Sequence, residues 1–224
     1  MRILYFSKNY TPHDYRFLFS LSQTKHEVYF LQLEATTRQT EDRPVPENVQ
    51  QILWAGGRSE FRWRDVPRLT FALRRIIKEI KPVLIHAGPI QNCAFLVALS
   101  GFRHLLAMSW GYDLVMEAEK SAWLRWVTSY TLRRSAFFTS DAKVSRDKAV
   151  SFGMNPEKTV IFRGGLIWIT SIRGRGKKKK QATGSKKKLS VNSKQSKEIT
   201  LFCSRTWEAI YGVDVWRRHL LEWQ

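Results

Sequence analysis

Seven short apolar runs in the first 162 residues constrain the fold of this chain more than any other feature. These candidate strands are Arg2–Ser7, His26–Leu33, Gln50–Ala55, Pro82–Gly88, Leu105–Gly111, Ala136–Asp141 and Thr159–Phe162. Several of them are continuously hydrophobic, which is typical of strands that are buried on both faces of a parallel sheet. Because helical patterns separate most of the runs, the order predicts an α/β fold with a doubly wound, Rossmann-like parallel sheet.

Two of the intervening helices have clear signals. The range Arg64–Lys81 places apolar residues on one helical face and basic residues on the other, and Pro82 ends it. Another helix is predicted to begin at Thr11, which can cap it, with Pro12 in its first turn and Asp14 at the capping-box position. In doubly wound sheets, ligands bind at the carboxyl ends of the strands. The segments that follow the strands are therefore the ones to search for a site.

The net charge of +19 is unevenly distributed, with +8 in residues 1–162 and +11 in residues 163–224. The segment Arg173–Lys197 contains eleven basic residues and no acidic ones. We predict that it is a solvated, disordered linker, with binding to anionic lipid headgroups or to nucleic acid as alternatives. No aromatic residue lies among these lysines, which argues against a stacking platform for nucleic acid bases.

The remaining composition indicates the compartment. Cys93 and Cys203 lie in apolar surroundings without metal-ligand spacing, so we interpret both as reduced core cysteines and expect no metal site. The longest apolar stretch, around Ala94–Leu99, is far shorter than the roughly 20 residues that span a bilayer. We therefore expect a cytoplasmic protein that is soluble or peripheral at the inner face of the cell membrane.

Three segments together resemble one family. The stretch Ala136–Phe162 resembles the end of the N-terminal domain of retaining glycosyltransferases of group 1, family 4, where a strand, a Ser-led helix and a second strand follow in that order. "AMSWGYDLV" (Ala107–Val115) is similar to that family's W-G-x-D segment. "SRTWEAIYGVDV" (Ser204–Val215) resembles the opening of its donor-binding domain. The resemblance covers nearly all of the chain except the lysine-rich segment.

The resemblance implies a two-lobed GT-B fold. Residues 1–162 would form one complete acceptor-binding lobe, 163–197 a linker, and 198–224 the first strand and helix start of an incomplete donor-binding lobe. It also implies metal-independent, retaining transfer of a hexosyl residue to a glycan or lipid-linked acceptor. The donor would be a nucleoside diphosphate sugar, with no cofactor and no specific nucleic acid partner.

The family pattern fails at two places, and a single reading-frame hypothesis addresses both. After Phe162 the pattern predicts P-W-G-V-D-L-D-H-F, and one added nucleotide with permitted codons converts "RGGLIWITS" into that string. One added nucleotide likewise converts "WRRHLLEWQ" (216–224) into V-A-K-A-F-A-G-V-A, an amphipathic continuation. We hypothesise that Arg163 to about Ile172 and Trp216–Gln224 are out-of-frame translations; a natural loop and tail are the alternative. On this hypothesis the chain is a truncated, inactive fragment.

The first candidate site residues follow the first strand. A neutral imidazole at His13 could orient a sugar hydroxyl or accept its proton, so we predict a catalytic role for it. Asp14 is a candidate acceptor-binding residue, and capping of the helix is its alternative role. The segment "SKNYTPHD" lacks the glycine-rich turn that many family members have here, so we expect acceptor contact from it rather than donor contact.

The W-G-x-D segment supplies the second set of candidates. Trp110 offers an apolar ring face for a sugar, Gly111 allows close approach, and Asp113 can accept hydrogen bonds from hydroxyl groups. We predict that Trp110 and Gly111 bind the acceptor and that Asp113 has a catalytic role. A core tryptophan and a helix-capping aspartate are the alternatives.

The donor side depends on the resemblance alone. Arg205 matches the family's basic residue after the first strand of the donor lobe, where a guanidinium suits a diphosphate, and Glu208 matches a glutamate of the same loop. A surface arginine and a purely structural glutamate are the alternatives. We interpret His86 as a satisfied core histidine. Ser140 and Asp141 are interpreted as caps of the helix that follows them.

A second function class remains open at the level of sequence. The chain could be a non-enzymatic, basic α/β protein that binds polyanions, either nucleic acid or an anionic membrane, through its lysine-rich segment. That hypothesis predicts affinity for any polyanion, falling steeply with salt.

Overall fold

The structure, a computed structural model, describes residues 1–34, 41–57 and 59–162, together with two further short strands. Those strands are β8 (Ile167–Thr170) and β9 (Ile199–Phe202), which pair with each other in antiparallel orientation. β8 lies within the range interpreted from sequence as a linker. The lysine-rich residues 173–197, the last nine residues and Cys203 lie outside the described residues.

Seven strands form one parallel sheet, as the apolar runs predict. Its order is β3-β2-β1-β4-β5-β6-β7, so the direction of winding reverses between β1 and β4. The strands are β1 (Arg2–Ser7), β2 (Glu27–Gln32), β3 (Val49–Ile52), β4 (Leu84–Gly88), β5 (Leu105–Ser109), β6 (Phe137–Ser140) and β7 (Thr159–Ile161). This is the predicted doubly wound, Rossmann-like α/β sheet.

Helices connect most of these strands. They are α1 (Pro12–Ser22), α2 (Val66–Ile80), α3 (Phe95–Ser100), α4 (Ala122–Arg134) and α5 (Lys143–Ser151). Shorter helical turns are the 3₁₀ turns Trp63–Asp65 and Pro156–Lys158 and the π turns Ile90–Ala94 and Asp113–Glu117. The predicted capping box of α1 is present between Thr11 and Asp14. α2 ends at Lys81, whose φ of 53° is left-handed.

The helices pack on the two faces of the sheet as the winding requires. On one face, Leu18 of α1 packs with Tyr5 and Phe30 of the strands. On the other face, the buried core includes Leu73 of α2 and Leu132 of α4. The connection through α1 runs from β1 to β2, toward one end of the strand order, whereas the connections through the other helices run toward the other end. Because such crossovers are right-handed, α1 lies on one face of the sheet and the other helices lie on the opposite face.

Two strands, β3 and β5, end two or three residues earlier than their apolar runs suggest. β3 stops at Ile52 because Trp54 turns its indole N–H toward the Gln32 carbonyl, 2.7 Å away, instead of continuing the ladder. β5 stops at Ser109, whose Oγ accepts the main-chain N–H of Gly111 at 3.0 Å. Polar side chains of the loops thus compete with the strand hydrogen bonds.

Two sequence-based statements concern the chain's environment. Cys93 is a buried free thiol, as predicted for a core cysteine. Among the described residues, no helix is both long enough and apolar enough to cross a lipid bilayer.

Candidate functional site

The carboxyl edge of the sheet gathers the segments in which ligand-binding residues were predicted. Because the strands are parallel, the loops after β1, β4, β5 and β6 all leave at this edge. The chain after β1 enters α1 on one face, whereas the chain after β4 leads toward α3 on the other face. A reversal of this kind opens a crevice at the strand ends.

His13 and Trp110 meet at this edge. Their ring centroids lie 4.5 Å apart with an interplanar angle of 34°, although the residues follow different strands. His13 is exposed at the start of α1, and Trp110 is half-buried. Edge contacts from Phe17 (5.7 Å) and Phe162 (5.8 Å) hold Trp110 in place. The Trp110 indole was predicted to bind a sugar. One side of this indole instead packs against the His13 imidazole and supports it.

Asp141 follows β6 at the same edge of the sheet. Partial burial raises the pKa of its carboxyl group, while the charge of His13 acts in the opposite direction and lowers it. The interpretation of Ser140 and Asp141 as helix caps is wrong. Ala142 occupies the N-cap position of α5, and no side chain there accepts a capping hydrogen bond. The Asp141 side chain therefore makes no capping hydrogen bond to α5. Its electrostatic coupling is to His13.

Asp14 has the structural role that was its alternative. Its carboxylate is buried and accepts hydrogen bonds from the Tyr5 hydroxyl (2.8 Å) and from the main-chain N–H and hydroxyl of Thr11 (2.9 and 2.5 Å). Burial raises the pKa of this carboxyl, and hydrogen bonds from Thr11, Ser7 and Tyr5 partly oppose that shift. The group faces into the protein and fixes the loop that carries His13.

Asp113 has a similar structural role between two strands. It is 5% exposed, and its carboxylate accepts the main-chain N–H of Ile90 at 3.0 Å and the hydroxyl of Ser109. Gln91 donates its side-chain N–H to the Asp113 main-chain oxygen at 2.7 Å. Burial raises the pKa of the carboxyl, which these hydrogen bonds partly oppose. Asp113 therefore joins the loop after β4 to the loop after β5, and its carboxylate points away from the solvent side of the edge.

Gly111 provides a backbone shape that other residues rarely adopt. Its φ is +98°, in the region favoured by glycine. A Cβ atom at this position would lie 3.2 Å from the Ser145 Oγ, which is tighter than ordinary packing. The sharp turn that sends the chain from Trp110 back toward Asp113 therefore depends on glycine, by conformation and by space.

His86 lies in the core, as interpreted from sequence, but its ring is not fully satisfied. It makes edge contacts with Tyr5 at 5.0 Å and Phe17 at 5.3 Å. Among the residues that the structure describes, nothing forms a hydrogen bond with its Nε2. Burial in this aromatic surrounding lowers the pKa of His86 to about 3, so the ring is neutral at physiological pH.

The remaining candidates lie elsewhere. Arg205 and Glu208, expected at the donor diphosphate, lie outside the described residues. Within the described ranges there is no group of three His, Cys, Asp or Glu residues placed to hold a metal ion. Asp141 is the residue that sequence reasoning overlooked as a site candidate. Its position directly after a predicted strand, at the same edge as His13, was the available signal.

Comparison with solved structures identifies the class of fold. HepE of Anabaena in complex with UDP-glucose matches with a TM-score of 0.50 at 13% identity, over 74% of this chain and 44% of that chain. UDP-GlcNAc 2-epimerase of Methanocaldococcus jannaschii, in complex with UDP-GlcNAc and UDP, matches with a TM-score of 0.53 at 11% identity, over 72% of this chain and 46% of that chain. The chain thus spans under half the length of these structures. The fold is the Rossmann-like α/β lobe found in GT-B proteins.

The sequence comparison then gives the family. The profile described as glycosyl transferase 4-like matches residues 2–142, which include the site edge up to Asp141. No curated protein matches the chain significantly. The chain belongs to the glycosyl transferase 4-like family, in agreement with the resemblance found in its sequence segments.

Proposed function

We propose that this chain provides the acceptor-binding lobe of a glycosyltransferase that uses a nucleoside diphosphate sugar. The observation that carries the proposal is the family match over residues 2–142, the range that builds the carboxyl edge with His13 and Trp110. The acceptor is a glycan or a lipid-linked sugar, and the transferred unit is a hexosyl residue moved with retention of configuration.

His13 has the position that the acceptor side of this reaction needs. Its imidazole is exposed at the edge, where an acceptor hydroxyl can reach it, and a neutral imidazole can orient that hydroxyl or take its proton. Trp110 packs against the ring and limits its orientations. A fixed base loses less conformational freedom when the acceptor binds.

Asp141 supports the same step electrostatically. A positive charge develops on an imidazole that accepts a proton, and a nearby carboxylate stabilises that charge. The charge of His13 lowers the pKa of the Asp141 carboxyl group, and this electrostatic coupling supports the assignment. We assign Asp141 the role of holding the protonated form of His13 during transfer.

The two buried aspartates position the loops and make no direct contact with the acceptor in this proposal. Asp14 fixes the turn before α1, and Asp113 joins the loops after β4 and β5. Gly111 shapes the turn after Trp110. Together these three residues position the His13 imidazole and the Trp110 indole.

The donor belongs to a second lobe. A nucleoside diphosphate leaves with negative charge, so its site needs cationic groups and backbone amides. Arg205 is our candidate for the diphosphate, with Glu208 in the same loop. The UDP-glucose bound in the HepE structure supports a nucleotide sugar as the donor class.

The test measures transfer of radiolabelled sugar from nucleoside diphosphate sugars to membrane and oligosaccharide fractions. The proposal expects no transfer by this chain alone, because the donor lobe is needed, and transfer by the product of a gene whose reading frame is restored at both positions. In that active protein, His13→Ala should lower kcat by roughly 10²–10⁴-fold, the range for loss of a general base.

The matched control is His104→Ala. His104 is also exposed, but it precedes β5 at the opposite edge of the sheet, so its removal should leave kcat unchanged. Transfer by this chain alone would contradict the need for a second lobe. Equal losses in the two histidine variants would contradict the role of His13.

A further inference from the structure

One helix carries an exposed stack of aromatic rings. Trp123, Trp126 and Tyr130 of α4 are three and four residues apart, which places them on one helical face. Trp123 and Trp126 stack with centroids 5.1 Å apart and an interplanar angle of 21°. Trp126 and Tyr130 stack at 5.2 Å and 26°. The rings therefore form a continuous column along α4.

The column continues onto the residues before α2. Trp63 meets Trp123 edge to face at 5.6 Å, and Phe61 meets Trp63 at 5.3 Å. The aromatic ladder is defined here as these five residues, Phe61, Trp63, Trp123, Trp126 and Tyr130. Beneath it lies Phe95, which is buried and contacts three of the five rings. The ladder is thus anchored to the core.

The tryptophans of the ladder are unusually exposed. Trp63, Trp123 and Trp126 keep 39%, 49% and 48% of their surface accessible. A contiguous exposed apolar surface of this kind, unlike single exposed residues, marks a site of interaction with a partner or a membrane.

Arginines outnumber carboxylates on the two segments that carry the ladder, 60–65 and 122–134: there are five arginines and two carboxylates, Glu60 and Asp65, and Asp65 lies 3.8 Å from Arg68. Arg62 and Arg64 flank Trp63, and Arg125 lies between the two tryptophans of α4; all three are exposed. α4 contains three arginines and no carboxylate. Among the described residues, no carboxylate forms an ion pair with Arg62, Arg64 or Arg125, although Arg125 acts on Glu119 at longer range. The partner should therefore be anionic.

The ladder lies beside the edge that carries His13. α2 and α4 both follow parallel strands, so the turn before α2, with Trp63, and the first turn of α4, with Trp123, stand at the carboxyl edge. The link from Trp110 to α4 adds two more exposed residues, Tyr112 (60%) and Met116 (55%). A partner seated on the ladder would be adjacent to the site.

We propose that the aromatic ladder and its flanking arginines dock on the surface of an anionic lipid bilayer. Tryptophan and tyrosine favour the membrane interface, where their rings are apolar and their N–H and O–H groups remain hydrated. Arginines near them gain attraction from acidic headgroups. The docking surface belongs to the folded lobe and does not depend on the lysine-rich segment.

Two other occupants fit the surface less well. A sugar ring would stack on an open ring face, but the rings of α4 cover one another and present mainly their edges. A second copy of this chain would bring a second set of arginines against the first, and like charges at an interface are unfavourable. A lipid surface meets both requirements, since it accepts ring edges and supplies negative charge.

This inference deepens the proposed function and rests on it in one respect. If the lobe binds an acceptor at its carboxyl edge, docking through the ladder would present that edge to acceptors held in the membrane. The acceptor class would then be a lipid-linked sugar rather than a free glycan.

The experiment is flotation of the full chain with vesicles of phosphatidylcholine alone or mixed with phosphatidylglycerol. The unaltered chain should float with the mixed vesicles, and Trp123→Ala/Trp126→Ala should reduce its partitioning about tenfold or more. The matched control is Tyr15→Ala/Phe19→Ala, which removes a stacked aromatic pair from α1 on the other face of the sheet. That variant should partition like the unaltered chain.

Charge is tested with a second matched pair. Arg125→Gln should weaken binding to the mixed vesicles, whereas Lys25→Gln, an exposed charge in the turn before β2, should have no effect. In the unaltered chain, lipids brominated on their acyl chains should quench tryptophan emission. This measurement keeps the test valid if the double alanine variant does not fold.

The proposal is overturned if the ladder variant floats as well as the unaltered chain, or if brominated lipids leave the emission unchanged. It is also overturned if the ladder mediates self-association or oligosaccharide binding without binding vesicles. Flotation requires no sugar transfer. A protein that transfers sugar but does not float would lose only this inference, whereas one that floats but does not transfer would lose only the proposed function.

Discussion

The carboxyl edge of the sheet has two layers that differ although they are built from neighbouring residues. His13 is exposed and touches Trp110, while the next residue, Asp14, is 1% exposed and bonded internally. Asp141 is half-buried, interacts electrostatically with His13 and caps nothing, while Asp113 joins two loops inside the protein. We call His13, Trp110 and Asp141 the outer layer, and the two buried aspartates the inner layer.

The two layers have different roles: the buried aspartates stabilise the fold, and the outer residues are available for chemistry. Burial raises the pKa of the two inner carboxyl groups, and their hydrogen bonds partly oppose that rise. Removing one leaves its buried donors without partners, which is expensive for folding. His13 and Asp141 hold no such buried donors, so changing them should alter chemistry more than stability, whereas Trp110 also packs against buried core residues.

The largest effect on stability is expected at the inner layer. Asp113→Ala should lower the free energy of unfolding by on the order of 3 kcal/mol, because the Ile90 N–H and the Ser109 hydroxyl lose their acceptor. Urea denaturation measures the change. Glu117→Ala removes a half-buried carboxylate that lies 3.8 Å from Lys120, and it should cost less than about 1 kcal/mol. Similar losses in both variants would remove the distinction between the layers.

The second-largest effect on stability is expected from the buried His86, and it depends on pH. The folded pKa of His86, about 3, is below the ordinary value of 6.5, so the unfolded chain binds more protons between these values. Stability from this group is complete above pH 6.5 and is lost as the pH falls toward 3. Between pH 6 and pH 4 the loss should be on the order of 2 to 3 kcal/mol.

His86→Leu isolates that contribution. The raised pKa values of Asp14 and Asp113 act in the opposite direction and are common to both chains, so the difference between the two pH profiles reports His86 alone. Thermal unfolding at several pH values measures it. Parallel profiles of the two chains would contradict the neutral, buried state of His86.

A smaller effect is expected at the cap of α1. Thr11→Ala should lower the free energy of unfolding by about 1 kcal/mol, the usual cost of losing an N-cap side chain. Thr11→Ser keeps the hydroxyl and should recover most of that loss. If serine is as destabilising as alanine, the threonine methyl group matters more than the cap.

The smallest effect on stability is expected in the outer layer. Asp141→Ala should change the free energy of unfolding by less than about 0.5 kcal/mol, since its carboxylate makes no capping bond. Thermal unfolding beside Asp113→Ala gives the direct comparison between the layers. A loss as large as that of Asp113→Ala would place Asp141 in the inner layer.

The sequence predicts the fold well for a physical reason. Buried parallel strands need continuous apolar runs, and all seven runs correspond to strands of the sheet. Their ends are harder to predict. Trp54 diverts the end of β3 through a hydrogen bond to Gln32, 22 residues earlier, and no local pattern reveals that partner. Ser109 bonds Gly111, only two residues later, but the apolar run continues through this turn and conceals it.

The site is only partly predictable, because burial decides which polar residue faces solvent. The sequence indicates that Asp14 can cap α1, but it does not reveal that the Tyr5 hydroxyl, nine residues earlier, also draws Asp14 inward while His13 stays exposed. Asp113 is drawn in by Ile90, which lies on another loop. Asp141 was misinterpreted because an aspartate before a helix usually caps it, and here the helix begins one residue later than that pattern requires.

The contact between His13 and Trp110 has a consequence for the history of this lobe. The two rings come from segments after β1 and β5, which flank β4 on its two sides, so they meet only when the strand order is the native one. A substitution that enlarges or removes one ring changes the support of the other at once. Among relatives, positions 13 and 110 should therefore covary.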